Sequence, residues 1–306
     1  MPTVQRKTPE QLAIMREAGR RLARILSELS AMVAPGVTTE QLEAHARNRL
    51  AELHAEPAFL GYTAKGARGP FPSVLCCSIN DELIHAPALP SRPLKSGDIV
   101  GLDFGLKYPL SVDPEAKHFD PEAKLLGPRV VERSLASAPY TGSSASVPIT
   151  NYQLPVISFY VDMAVTVAVG PISSRAQTLL AVTHDALERA IAAVKPGLHL
   201  RELARIIQSY VESHGFSIAR DYVGHGIGRE LHEPPEVPNF ISSEFKDVIL
   251  EEGMTIAIEP MVTMGSPVLT HGPDSWTAKT ADGSLAAHFE HTIAVTAHGA
   301  EILTLA

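Results

Sequence analysis

The chain repeats itself in a fixed order, and each repeated pair carries an acid. Leu94-Lys95-Ser96-Gly97-Asp98-Ile99-Val100-Gly101-Leu102-Asp103 reads like Leu250-Glu251-Glu252-Gly253-Met254-Thr255-Ile256-Ala257-Ile258-Glu259. The run from Tyr160 to Val167 reads like the run from His288 to Val295, setting Asp162 against Glu290. Val33 to Leu42 matches Val194 to Leu203, and both hold a Pro-Gly turn between helical stretches. Three matched blocks in one order imply two halves of like fold. Each half reads helix, turn, helix, then strands. The expected class is α/β (α+β), with strands in the middle, helices outside and a pseudo-twofold axis between the halves.

Local signals support the helices. Thr8-Pro9-Glu10-Gln11 combines a capping side chain with proline at the first helical position. Leu12, Met15, Leu22, Ile25, Leu26 and Leu29 then supply a helical apolar stripe, as Leu180, Leu187, Ile191 and Val194 do in the second half.

The acids carry the chemistry. Each lies in a short apolar, β-branched run, the pattern of a buried strand. Ionised carboxylates brought together there lose hydration and repel one another, at several kcal/mol per ion. A pair of divalent cations would offset that charge. One histidine complements the acids in Gly224-His225-Gly226-Ile227-Gly228, where flanking glycines allow close backbone approach. The resulting set, Asp103, Asp162, His225, Glu259 and Glu290, is rich in oxygen with one nitrogen. It suits manganese, iron or cobalt better than a structural zinc. His85 and His232 are related by the same internal symmetry and could flank a substrate. His288 shares the face of Glu290, and His291 should point to the other face.

With 45% hydrophobic and 20% charged residues in 306, the chain can bury a large core. A net charge of −8 argues against a nucleic-acid or anionic-membrane surface. The only cysteines, Cys76 and Cys77, are neighbours, so a disulfide framework is absent and a reducing, cytoplasmic setting is expected. No apolar run reaches membrane-spanning length. Residues 109–157 break the pattern, being rich in Pro, Ser and Ala, and read as an insertion between two strands of a single 1–306 domain.

The blocks Gly224 to Arg229, Ile258 to Val262, Ser275 to Thr280 and Phe289 to Thr292 resemble those of type I methionine aminopeptidases. The resemblance covers the chain outside 109–157. It implies the pita-bread fold, with a central antiparallel sheet, and removal of the initiator methionine from nascent polypeptides with a small second residue. It also implies two divalent metals (Co, Mn, Fe or Zn). Asp103 would chelate one metal, Asp162 and Glu290 would bridge both, and His225 and Glu259 would complete the other. Glu259 would also carry a proton to the leaving amine. His232 would stabilise the tetrahedral oxygen and His85 would contact the peptide nitrogen. The methionine pocket would be Phe59, Tyr62, Cys76, Leu231 and Trp276, with Phe59 narrowing it where many relatives carry a smaller residue. The expected partners are peptide N-termini and, transiently, the ribosome, with neither nucleic acid nor membrane, and the protein would be a monomer.

The long stretch leaves two claimants for the second ligand, Asp113 and Asp162. Asp162 is the reading taken, because it begins an apolar strand and aligns with Glu290, whereas Asp113 lies in a duplicated Asp-Pro-Glu-Ala-Lys tract. The rival readings are a prolidase-like peptidase of the same fold and a catalytically silent scaffold.

Overall fold

The computed structural model describes residues 4–64, 67–109 and 157–306. Helix α1 (Pro9–Met32) starts where the capping chemistry places it. The Thr8 hydroxyl accepts the Gln11 N–H, and the Gln11 side chain accepts the Thr8 N–H. Its buried face is Met15, Leu22, Ile25, Leu26 and Leu29. Helix α2 (Thr39–Glu52) repeats the device with Thr38 and Gln41. Strands β1 (Cys76–Ile79), β2 (Ile99–Tyr108) and β3 (Phe159–Ala168) complete the first half. The second half has α3 (Ser174–Ala193), α4 (Leu200–Ser213), β4 (Gly224–Gly226), β5 (Glu233–Val237), β6 (Thr255–Ile258) and β7 (Glu290–Thr296).

These strands belong to a nine-stranded sheet whose main path runs β2-β3-β7-β6-β4-β5, with β1 on the other edge of β2. Each of these strand pairings is antiparallel. Helix α1 packs on β2 and β3, and α3 packs on α4 and the second half's strands. Each half thus closes its own apolar core, one around Leu22, Leu26 and Phe104, the other around Leu187, Leu203 and Ile256. An antiparallel sheet with helices packed on it is the arrangement the pita-bread resemblance implies.

The pseudo-twofold axis is written in backbone hydrogen bonds. Gly36 donates to Leu94 and Leu94 to Val37, just as Gly197 donates to Leu250 and Leu250 to Leu198. At the strand ends, Gly97 donates to Val169 and Gly253 donates to Val295. Those last bonds correct the sequence alignment of the second strand pair. They match Val169 with Val295, so Asp162 corresponds to His288, and Ala164 corresponds to Glu290. Two threonines confirm the register. The Thr292 hydroxyl clamps the backbone N–H and C=O of Asp162, and the Thr166 hydroxyl clamps those of His288. The slip is two residues, which leaves the inward and outward faces unchanged. Alternation alone could not detect it.

Tyr108 and Phe159 still pair at the ends of β2 and β3. The stretch expected as an insertion lies between them. Apart from its end residues it falls outside the described residues, and so does Asp113.

Candidate metal centre

Register builds the site. Asp103 on β2 faces Ala164 on β3, which in turn faces Glu290 on β7. His291 pairs with Ile258, which brings Glu259, the next residue, opposite Glu290. Three acids therefore stand in one row across four strands, with an alanine between the first two. Asp162 pairs with Gly105, two positions along, and so points to the same face. Bare Gly105 leaves it room, because a Cβ there would lie 3.1 Å from Asp162 Oδ1 and 2.9 Å from the Ala58 methyl.

His225 arrives from β4, which is hemmed in on both sides. A methyl at Gly224 would collide with the Ala257 carbonyl, and one at Gly226 with the Pro234 carbonyl. Only glycine fits these positions, as the sequence reading anticipated. His225 Nδ1 lies 2.9 Å from the Gly226 carbonyl and donates to it, so Nε2 keeps its lone pair. That nitrogen lies 3.7 Å from Glu259 Oε1. The Glu259 backbone is held by Asn239, whose Nδ2 donates to its carbonyl at 2.9 Å.

Four of the five residues expected as ligands fall into two donor clusters, and Asp103 stands beside them in the same row. Donor atoms of Asp162, His225 and Glu290 lie within 4.8 Å of one another, as do those of Glu259, His288 and Glu290. All four carboxylates are buried. Burial, reinforced by their mutual repulsion, raises the pKa of Asp103, Glu259 and Glu290, and burial pushes Asp162 up to about 7. Burial lowers His225 to about 3, with His232 adding to the shift, and lowers His288 to about 3. Both imidazoles are neutral at pH 7, as metal ligands must be. Asp103 Oδ1, Glu290 Oε1 and His288 Nε2 are buried without a hydrogen-bond partner. Buried polar atoms are seldom left so, and divalent cations would satisfy all three. The donor set fits them.

His232 and His85 border the acids. The rings of His225 and His232 stand 4.4 Å apart, and His232 Nδ1 lies 3.0 Å from the Tyr62 hydroxyl. His85 packs edge-on against Tyr222 at 5.3 Å and adopts a left-handed φ of 59°. Burial, followed by the neighbouring His232 and His271, lowers its pKa to about 4. Cys76 faces Asp103 directly across the sheet, and burial keeps its thiol protonated. Phe59 reaches the space above Gly105, beside Asp162. Leu231 is buried in the first-half core, so packing accounts for it. Trp276 connects to this group through Phe71, whose ring lies 5.2 Å from Trp276 and 6.3 Å from Phe59. Phe71 and Tyr222 were invisible in the sequence, because neither belongs to a repeated block.

The alanine in the acid row has a testable role. A larger side chain at Ala164 would project between Asp103 and Glu290. Ala164→Val should abolish metal binding while keeping the far-UV circular dichroism, since valine suits a strand. Two metals per chain measured in the variant would overturn this.

The pattern of metallopeptidase family M24 matches residues 13–111 and 154–297. Methionine aminopeptidase 1 of Bacillus subtilis is 38% identical over 299 residues, covering 97% of this chain and 98% of its own. The Escherichia coli K12 methionine aminopeptidase is 35% identical over 300 residues, covering 98% and 93%. The crystal structure of the Thermotoga maritima methionine aminopeptidase superposes with a TM-score of 0.78 at 36% identity, covering 99% of this chain and all of that one. An Xaa-Pro dipeptidase from Bacillus anthracis gives a TM-score of 0.65 at 18% identity, with 62% of that chain covered, and shares the fold alone.

Proposed function

Because the chain belongs to metallopeptidase family M24, we propose that Asp103, Asp162, His225, Glu259 and Glu290 hold two divalent cations beneath a pocket for the amino end of a peptide. The reaction is metal-dependent removal of the initiator methionine. The observation that carries the site assignment is the row of buried acids with orphaned oxygens facing one hollow. When bound, the cations supply Lewis acidity and lower the pKa of a water at neutral pH.

The chain's own residues do the rest. Glu259, whose carboxyl binds protons readily because it is buried beside Asp162, passes a proton to the leaving amine. In the tautomer whose Nδ1 accepts from the Tyr62 hydroxyl, His232 carries its proton on Nε2 and donates a hydrogen bond to the developing oxyanion. His85 contacts the peptide nitrogen. Phe59, Tyr62, Cys76 and Trp276 surround the methionine side chain, and the polarisable thioether suits their aromatic and sulfur surfaces. The substrates are nascent chains with a small second residue, met in the cytoplasm with transient ribosome contact, and the enzyme works as a monomer. No helix among the described residues is long and apolar enough to cross a membrane. Residues 1–306 act as one catalytic domain carrying 109–157 as an insertion.

Free methionine should appear from Met-Ala-Ser in the presence of added divalent cation. It should cease after chelation and dialysis, and return on metal addition. Cleavage that survives chelation, or preference for Met-Pro over Met-Ala-Ser, would overturn the proposal. The prolidase-like and scaffold readings are not favoured, since the prolidase likeness is one of fold alone.

A further inference from the structure

We propose that His288 is a nitrogen donor to the cation on the Glu259 side of the centre, giving the site two imidazoles and a preference for zinc or cobalt over manganese. The inference rests on the dinuclear reading above and goes beyond its five-residue ligand set.

Geometry carries it. His288 Nε2 lies 3.5 Å from Glu259 Oε2 and 4.0 Å from Glu290 Oε2. Two ligands with bonds of ~2.1 Å to one tetrahedral ion stand roughly 3.4 Å apart. The pair His288–Glu259 matches that spacing, whereas a direct N–H···O bond would be shorter, ~2.9 Å. Nε2 makes no hydrogen bond, and the residue is 3% exposed, so bulk water does not satisfy it. A buried imidazole nitrogen aimed at two carboxylates, with neither within bonding distance, is the arrangement a cation would complete.

Symmetry supplies a second, independent observation. His288 occupies the position in β7's lead-in that Asp162 occupies in β3. Each has its backbone clamped by a threonine hydroxyl from the facing strand, Thr166 for His288 at 2.8 and 2.9 Å, Thr292 for Asp162 at 2.8 and 3.0 Å. A residue held this rigidly by the same device presents its side chain to the same hollow from the opposite side. Glu259 stands close to both imidazoles, 3.7 Å from His225 Nε2 and 3.5 Å from His288 Nε2, so one cation held by Glu259 takes both nitrogens. Exchanging an oxygen donor for a nitrogen favours later divalent metals, because imidazole binds zinc and cobalt more strongly than it binds manganese.

The test titrates the full chain and His288→Gln with Zn²⁺ and with Mn²⁺ against a competing chelator. Zinc affinity should fall roughly tenfold or more, and manganese affinity by much less. An equal loss for both metals, or no loss, would overturn the inference and leave His288 as packing. Pulsed electron paramagnetic resonance of the wild-type chain loaded with Cu²⁺ does not depend on the variant folding. It should show two inequivalent imidazole couplings, and a single coupling would overturn the inference. If wild type releases methionine from Met-Ala-Ser yet shows one coupling, His288 is excluded while the proposed function stands. If wild type binds neither Zn²⁺ nor Mn²⁺, the dinuclear reading itself fails.

Discussion

Glu259→Gln is expected to lower kcat for methionine release by roughly 10²- to 10⁴-fold while making the metal-free protein more stable. The two effects share one cause. Burial raises the Glu259 pKa, and the nearby Asp162 raises it further. A folded-state pKa above the unfolded value contributes stability that is present at low pH and is lost as pH rises through the folded pKa. Metal-free wild type therefore loses stability as pH rises above 4.5, the carboxyl's ordinary value. Glutamine keeps the shape, cannot ionise and escapes that loss. The melting temperature of metal-free Glu259→Gln should exceed that of metal-free wild type, with a gap that widens from pH 5 to pH 8. Excess cation should close or reverse the gap, because wild type then has its charge neutralised. Thermal scans with and without chelator decide it. A variant less stable than wild type when metal-free at pH 8 would mean that Glu259 is not under electrostatic strain.

Lys7→Met should cost about 3–5 kcal/mol of stability, the usual penalty for removing one partner of a buried ion pair. For a chain of this size that corresponds to roughly 5–15 °C in Tm. Lys7 Nζ pairs with the Glu233 carboxylate, and the two side chains are 2% and 6% exposed. Burial lowers the Lys7 pKa, and the Glu233 contact opposes that shift. Glu233 has further duties. Its Oε1 accepts the backbone N–H groups of Arg229 and Glu230, and so orders the turn that leads into His232. Methionine would leave the buried Glu233 Oε2 without its partner. His232 would lose its fixed approach, so kcat should fall more than KM rises. Lys7 also donates its backbone N–H to Gly253 at 2.7 Å, a bond the variant keeps, so the lesion is confined to the ion pair. A loss below ~1 kcal/mol in denaturant titration would show that the pair is dispensable.

Neither Lys7 nor Glu233 drew notice in the sequence. One is a lysine in an N-terminal basic pair, the other an acid beside two prolines, and nothing local links positions so far apart. His288 marks the same boundary more finely. Alternation placed it on the face of Glu290, yet the alignment assigned it to Tyr160. The threonine clamps and the backbone bonds at Val169 and Val295 assign it to Asp162.

The amino-acid pattern by itself determined the two-halved architecture, the helix start at Thr8, the inward face of every acid and the glycines around His225. These are local properties, governed by periods of two and 3.6 residues and by backbone freedom. Tertiary structure alone decided which residue stands opposite which. It put Ala164 in the gap between Asp103 and Glu290, brought Lys7 to Glu233 and aimed His288 at Glu259. The reason is that alternation fixes a side chain's face but is blind to a two-residue slip. Register is chosen by backbone hydrogen bonds between segments distant in sequence, as where Asp103 meets Ala164 and Ala164 meets Glu290.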